Sequence, residues 1–557
     1  MKFDRRQTLA LLGAGTAVAA PRAAQAAAKA GFQHGVASGD PLQDRLVIWT
    51  RVTPDDPAVD RTNLRYFVAR ADRPGRKVKQ GRAYTSAGRD FTVKVDVDGL
   101  QPGVEYVYWF EAGSVKSPVG RARTLPKGAA ADAVFAVASC SLWAGGFFNA
   151  YEAIAALPRV DAVVHLGDYI YEYGVDGFGA EIGPKIGRLV DPPHEILTLA
   201  DYRRRHAQVK SDPQLQAAHA RAAWIVVWDD HETANDSWTG GAENHNAETE
   251  GGWNERKATA LRAWYEWMPI RDPEPGRPFE AINRSFHFGD LASLIMVETR
   301  LAARAKPLDY AVDLPVVEGK PDMAAFGVKL ADPSRTMMGE RQEAWLADEL
   351  AASVTAGRRW QVLGNQVVMA RAIMPDIRKA VGGDAGLADL LTRIPEYARA
   401  PVRDSVGIAQ LGLPAGLDTW DGYPAARERL YGAFKTARAT PIVISGDSHA
   451  FWANELWDGP GTTRVAAEFG ATGISSPGFG DIIPGVDFGA AFIERNKEVV
   501  YANHAAKGFV LLTLTREAAK AEMVAVSTIF SPQYETAVLK TFEVRPAEVG
   551  VGPVTAI

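Results

Sequence analysis

Four apolar runs in this chain each stop at a group of residue types that bind metals. Ala133–Ser139 leads into Cys140. Ala162–Leu166 leads into Gly167-Asp168-Tyr169-Ile170-Tyr171-Glu172. Ala223–Trp228 leads into Asp229-Asp230-His231-Glu232, and Pro441–Ser445 into Gly446-Asp447-Ser448-His449. Continuous Val/Ile/Ala runs without alternation mark parallel strands buried on both faces. Open α/β sheets form their sites just past the carboxyl ends of such strands. A thiol, phenol, imidazoles and carboxylates at four strand ends therefore predict one metal centre drawn from distant sequence. The reaction class it names is metal-assisted hydrolysis.

Each group has a definable task. Asp168 can bridge two cations, and paired cations hold both the attacking and the leaving oxygen of a phosphoryl transfer. Tyr171, three residues on, offers a phenolate suited to ferric iron. Asp230 and Asp447 suit a hard oxygen-seeking cation such as calcium, and His449 gives an imidazole nitrogen to the more Lewis-acidic partner. His231 is placed to protonate a leaving group, with Glu232 expected to orient its ring. Cys140 is the sole cysteine. Its position at a strand end favours a ligand over a buried thiol, and no intrachain disulfide is possible. Taken singly, each residue has a plainer reading: Gly-Asp pairs make turns, tyrosines fill cores, and histidines can be satisfied in the interior. Their joint occurrence after four strands outweighs those readings. Asp229 is expected to support its loop, and His165, inside a strand, to belong to the core.

These groups need a scaffold. Strands are predicted at Arg45–Val52, Leu64–Arg70, Phe91–Val97 and Val104–Glu111, separated by Gly/Pro/Asp turns. Gly99-Leu100-Gln101-Pro102-Gly103 followed by Tyr106 and Tyr108 is similar to the turn and tyrosine of a fibronectin-type sandwich. A small all-β domain is expected over 29–125, and 126–132 reads as a linker. From residue 133 to 557 strands alternate with helices, implying a layered α/β catalytic domain. Helices are expected at Phe147–Leu157, Ala200–Gln208, Trp253–Met268 and Gly339–Val354. Lys306–Ser334 and Arg371–Asp418 read as long loops with short helices. Ala521–Val544 returns to β character and is expected to close the sheet.

Residues 1–28 read as a targeting segment. Arg5-Arg6 precedes the apolar stretch Leu9–Ala20, and Ala24-Gln25-Ala26 offers a cleavage site. Adjacent arginines before a modestly apolar stretch are the pattern of a twin-arginine export signal, the alternative being an ordinary secretory signal. The twin-arginine export machinery is thus an expected partner, with a periplasmic or secreted location. The charge is near balance, 62 Lys+Arg against 67 Asp+Glu. No basic block points to nucleic acid, and no mature stretch is long and apolar enough to span a membrane. A monomer is expected.

Gly167-Asp168-x-x-Tyr171, Asp230-His231-Glu232 and Gly446-Asp447-x-His449 resemble the blocks of calcineurin-like metallophosphatases. Ser139-Cys140, Gly-Asp-Tyr-Ile-Tyr-Glu-Tyr and Trp-Asp-Asp-His-Glu are similar to the PhoD-type alkaline phosphatases in particular. His34–Pro41 with Trp49-Thr50-Arg51-Val52 looks like the start of that family's N-terminal β domain. The resemblance implies a four-layered α/β/β/α sandwich that hydrolyses phosphate esters outside the cytoplasm with Fe3+ and Ca2+. Cys140, Asp168, Tyr171 and His449 would hold iron, and Asp168, Asp230 and Asp447 calcium. Hydroxide held by metal would attack phosphorus in line, and His231 would protonate the departing alkoxide. Asn235 can touch calcium or phosphate, or act as an Asx-type brace; Asn254 is the other candidate. Arg300 can face phosphate or form a surface ion pair. The competing readings are a phosphodiesterase or phospholipase D acting on lipid or polymer phosphodiesters, and a cell-surface β module carrying an inactive hydrolase. No ligand position among the four blocks is lost, which disfavours the second.

Overall fold

The computed structural model describes residues 31–557 apart from 56, 57, 180, 395 and 484. The predicted export signal lies outside the described residues. Two large sheets carry the molecule. The first has ten strands, in which Asp132–Ala138, Ala162–His165, Ala223–Val226 and Val36–Gly39 lie side by side and parallel. The second has seven strands, with Ala292–Met296, Trp360–Gly364, Pro441–Ser445 and Arg464–Gly470 parallel at its centre. These central strands are buried along nearly their whole length, as continuous apolar runs require. The two sheets share one core, and Phe135 of the first meets Phe288 of the second edge to face with ring centroids 4.8 Å apart. A second core packs Ile295, Leu363 and Val443 of the seven-stranded sheet with Leu346, Leu350, Leu430 and Phe434 from helices Gly339–Thr355 and Pro424–Ala437.

The N-terminal part is all β. Its five-stranded sheet includes Lys77–Ser86, Arg61–Arg70 and Glu105–Ala112. It packs through Leu64, Val68, Tyr106 and Tyr108 on Val36, Ile48 and Val93. The turn predicted from Gly99–Gly103 forms, and the Gln101 N–H donates to the Tyr106 hydroxyl at 2.8 Å. Val36–Gly39, Leu46–Arg51 and Thr92–Val97 are also the last three strands of the ten-stranded sheet. Ser38 pairs with Ala223 and Gly39 with Trp224, so the β part continues the catalytic sheet by main-chain hydrogen bonds.

The predicted helices form at Asn149–Ala155, Leu199–Lys210, Trp253–Trp267 and Gly339–Thr355. Thr198 and Asp201 form a capping box at the start of the second. The C-terminal return closes the sheet as expected, through Lys507–Thr515, Ala519–Val526 and Thr536–Val544; the first of these pairs with Asp132–Ala138. The segment between Arg371 and Asp418, read as long loops with short helices, holds one long helix, Glu396–Gln410, with Pro401 inside it. Among the described residues no helix is long and apolar enough to cross a membrane.

Beneath the ten-stranded sheet lies a buried basic group. Lys210 Nζ is 3.1 Å from His219 Nε2 and 4.6 Å from the centre of the Trp49 ring. His206 is buried with neither ring nitrogen partnered, and stacks on Trp267. Burial pushes both His34 and His206 down to about 3, with Arg51 and Lys210 adding for His34 and Lys210 for His206. The unfolded chain takes up these protons below about pH 6.5, whereas the native state resists until about 3. Their contribution to stability is therefore complete above pH 6.5 and lost as pH falls toward 3. Between pH 6.5 and 5 each such histidine should remove about 2 kcal/mol of unfolding free energy. Urea unfolding across this range checks the slope, and His206→Leu should flatten it.

Candidate metal centre

The four predicted strand ends converge, three from the ten-stranded sheet and one, after Pro441–Ser445, from the other. The junction is tight. Ser139 bridges to Gly473 in parallel, and a Cβ on Gly446 would lie 2.6 Å from Ser139 Oγ. Gly167 has φ +111°, and a Cβ there would sit 2.3 Å from the backbone nitrogen of Asp229. Only glycine lets these loops approach so closely.

Cys140, Asp168, Asp447 and His449 all adopt left-handed backbone conformations, with φ of 60°, 57°, 62° and 54°. For the cysteine and the histidine this costs of order 1–3 kcal/mol each. The conformation persists because the surroundings fix it. The Cys140 N–H donates to Gly167 O, and the Ser141 N–H to Asp168 O at 2.8 Å. Glu232 accepts the N–H groups of Asp168 at 3.0 Å, Tyr169 at 2.6 Å and Asp229 at 2.8 Å.

Glu232 therefore does not orient His231, contrary to the sequence expectation. Asp229-x-x-Glu232 folds as one turn with capping-box logic, and the fourth residue reaches back to the first N–H. The ring is instead held by Glu172, whose Oε2 lies 2.7 Å from His231 Nδ1. Glu172 also accepts the Asn235 N–H and the Asn244 side-chain amide. Burial alone would lower the His231 pKa, but Asp230, Glu172 and Asp168 together raise it above the usual histidine range.

Three groups of ligand atoms arise among the described residues, each with all its atoms within 4.8 Å of one another: Cys140, Asp168 and His449; Asp168, Asp229, Asp230 and Asp447; and Asp168 and Asp230 with His231. They share Asp168. Tyr171 joins the first group, its hydroxyl 3.1 Å from Asp168 Oδ2, 3.3 Å from His449 Nε2 and 2.7 Å from Ser476 Oγ. His449 donates from Nδ1 to Pro477 O at 2.6 Å, which leaves the Nε2 lone pair facing the group. Burial, with Lys507 adding, pushes His449 down to about 3, so the ring is neutral. Burial and then Asp168 raise the Cys140 thiol and the Tyr171 phenol. Burial and neighbouring carboxylates push Asp168 and Asp229 up and hold Asp447 at about 7.

The donor set fits cations. Asp168 Oδ1 and Asp229 Oδ2 are buried without a hydrogen-bond partner, and so many buried acids cannot all ionise unless positive charge joins them.

Other predicted residues fall elsewhere. Asp229 does more than brace its loop, since it belongs to the second group and pairs with Arg300. Arg300 is not a surface residue: it is fully buried and paired with Asp229, Asp418 and Asp447. The Asn235 side chain bonds Glu243 at 3.3 Å. Asn254 is exposed near the start of its helix. His165 is a core residue, stacked on Trp224 and bonded to the Tyr151 hydroxyl at 2.8 Å. Sequence reasoning missed Ser476, Pro477 and Asp418. No local pattern marks them, because their partners are 28 to 336 residues away.

The sequence profile of the PhoD-like phosphatase family matches residues 135–523, and that of the PhoD-like phosphatase N-terminal domain matches residues 16–126. Alkaline phosphatase D of Bacillus subtilis (strain 168) is 31% identical over 538 residues, spanning 94% of this chain and 82% of that protein. The solved structure of PhoD aligns with a TM-score of 0.77 at 30% identity, covering 95% of this chain and 92% of that one. The protein is thus a phosphoric ester hydrolase of mixed α/β fold with an all-β N-terminal part. It belongs to the PhoD-like phosphatase family.

Glu232→Ala removes the acceptor of three buried N–H groups at two strand ends. Each orphaned donor costs about 1–3 kcal/mol, so urea unfolding should show a loss of at least about 2 kcal/mol. A loss below 1 kcal/mol would mean that other groups hold these loops.

Proposed function

We propose that this phosphoesterase works with two cations, a ferric iron held by Cys140, Asp168, Tyr171 and His449 and a calcium held by Asp168, Asp229, Asp230 and Asp447. The observation that carries the reading is the sharing of Asp168 between two ligand groups, with one of its oxygens buried and unpartnered. Thiolate, phenolate and neutral imidazole suit the more Lewis-acidic ion, and an all-carboxylate group suits calcium. When bound, the cations supply positive charge against the phosphoryl oxygens and acidify the attacking water.

The chain's own residues do the rest. Asp168 fixes the spacing of the two sides. Glu172 holds the His231 proton on Nδ1 and orients the ring, so that Nε2 can hand a proton to the leaving oxygen. Asp230 and Glu172 keep His231 protonated for that step. Asn235, with its backbone tied to Glu172, is the candidate to meet a substrate oxygen, which requires its side chain to leave Glu243. We further infer export by the twin-arginine route to the periplasm or medium, from the N-terminal pattern, and action as a monomer on phosphate mono- or diesters.

Metal analysis of the natively exported protein should find iron and calcium, with a visible charge-transfer band. Tyr171→Phe should remove or shift that band, and zinc alone with no band would overturn the assignment. Paired assays on a phosphomonoester and a phosphodiester decide the ester class. His231→Ala should slow esters of poor leaving groups by about 10²–10⁴-fold and those of good leaving groups much less. Equal slowing of both would reject the acid role.

A further inference from the structure

Arg300 stands where a second cation would compete with it. Its backbone is fixed by Glu298, which accepts the N–H groups of Arg300, Leu301 and Ala302 at 2.8, 2.6 and 2.8 Å and that of the Trp228 indole at 2.9 Å. From this anchor the fully buried guanidinium forks. Nε donates to Asp229, Nη1 to Asp418, and Nη2 to Asp447 at 3.3 Å, with Asp230 3.7 Å from Nη2. Asp418 is also held by Arg304, itself buried.

The two arginines are not equivalent. Arg304 is matched by Asp418. Arg300 alone faces Asp229, Asp230 and Asp447, which with Asp168 form the all-carboxylate group. Even with the His231 ring beside Asp168 and Asp230, the positive charges here are fewer than the four carboxylates, and an excess of buried negative charge draws in a cation. Yet every carboxylate oxygen turned toward the guanidinium is one that a cation must share or take over. A planar guanidinium with several donors is suited to bridge separate carboxylates in this way.

We propose that Arg300 is a resident counter-ion. It keeps the acidic group assembled without metal, and it sets the affinity of the second cation by competing for Asp229, Asp230 and Asp447. The cation on this side is then exchangeable, whereas the Cys140 side, which Arg300 does not reach in any described contact, retains its ion. Asp418 tunes the competition by drawing part of the guanidinium charge away from the other three carboxylates. This inference rests on the two-cation reading above.

The test titrates calcium chloride into the full mature protein after treatment with EGTA, reading the thermal midpoint and, by calorimetry, calcium affinity. Wild type should gain thermal stability with calcium. Arg300→Met should unfold at a lower temperature in EGTA, bind calcium at least tenfold more tightly and gain more from it. Asp418→Asn, which leaves more guanidinium charge for the group, should bind calcium several-fold more weakly. A merely structural role would weaken binding in both variants. Calcium affinity equal to or weaker than wild type in Arg300→Met overturns the proposal. If that variant does not fold, unchanged or tighter binding by Asp418→Asn overturns it instead. Absence of any calcium response in wild type removes the two-cation reading and this proposal together, whereas calcium binding without the opposed shifts removes the proposal alone.

Discussion

Asp168, Asp229 and Asp230 are buried and Asp418 and Asp447 half-buried in one cluster, where the Arg300 and Arg304 guanidiniums and the His231 ring are the nearby positive groups. A carboxylate removed from water must find a cation, gain hydrogen bonds or take up a proton. All three answers occur here. Asp230 accepts the N–H of Asp236 at 2.6 Å and stays ionised. Asp418 lies between two arginines. Asp168, Asp229 and Asp447 are pushed toward protonation, first by burial. Such a group destabilises the fold unless it serves to bind charge, and the rest of the centre is built to hold it in that state.

The holding is done largely by backbone. Left-handed residues at Cys140, Asp168, Asp447 and His449 turn three strand ends inward within two to four residues. Glu232 and Glu298 act alike. Each gathers several main-chain N–H groups from the loop that follows a strand, and so fixes the loops carrying Asp168, Asp229 and Arg300. Buried acceptors of this kind satisfy donors that the end of a sheet leaves unpaired. The Cys140 loop is fastened from the far end of the chain: Phe147 N–H donates to Ile529 O, and the Asn149 amide to the carbonyls of Thr528 and Ser531. The C-terminal strands therefore serve the site, although they contribute no ligand.

The β-rich N-terminal part is tied to the same framework. Its strand Val36–Gly39 extends the ten-stranded sheet beside Ala223–Val226, the strand that ends at Asp229. Asp40, just beyond it, pairs with Arg284 of the second sheet at 2.8 Å and accepts the Arg271 N–H at 2.9 Å. The N-terminal part thus braces both sheets behind the centre.

Strand ends, ligand types and the mixed α/β order were legible in the sequence because they depend on local pattern: apolar runs that stop at Cys, Asp, Tyr and His have one period and one boundary each. The turn before Tyr106 and the β return from Ala521 were legible for the same reason. Side-chain direction beyond a strand end was not. Glu232 follows His231 in the chain, but the turn sends it back to Asp229, and Glu172 reaches the imidazole from 59 residues away. Arg300 reads in one dimension either as a phosphate-facing residue or as a surface ion pair, because its carboxylates lie 71, 118 and 147 residues from it. Residue type and apolar pattern alone marked the candidate ligand groups and the strand ends that would carry them. Which carboxylate meets Arg300 or Arg304 follows only from the fold, because it depends on how the strand ends of two sheets come together.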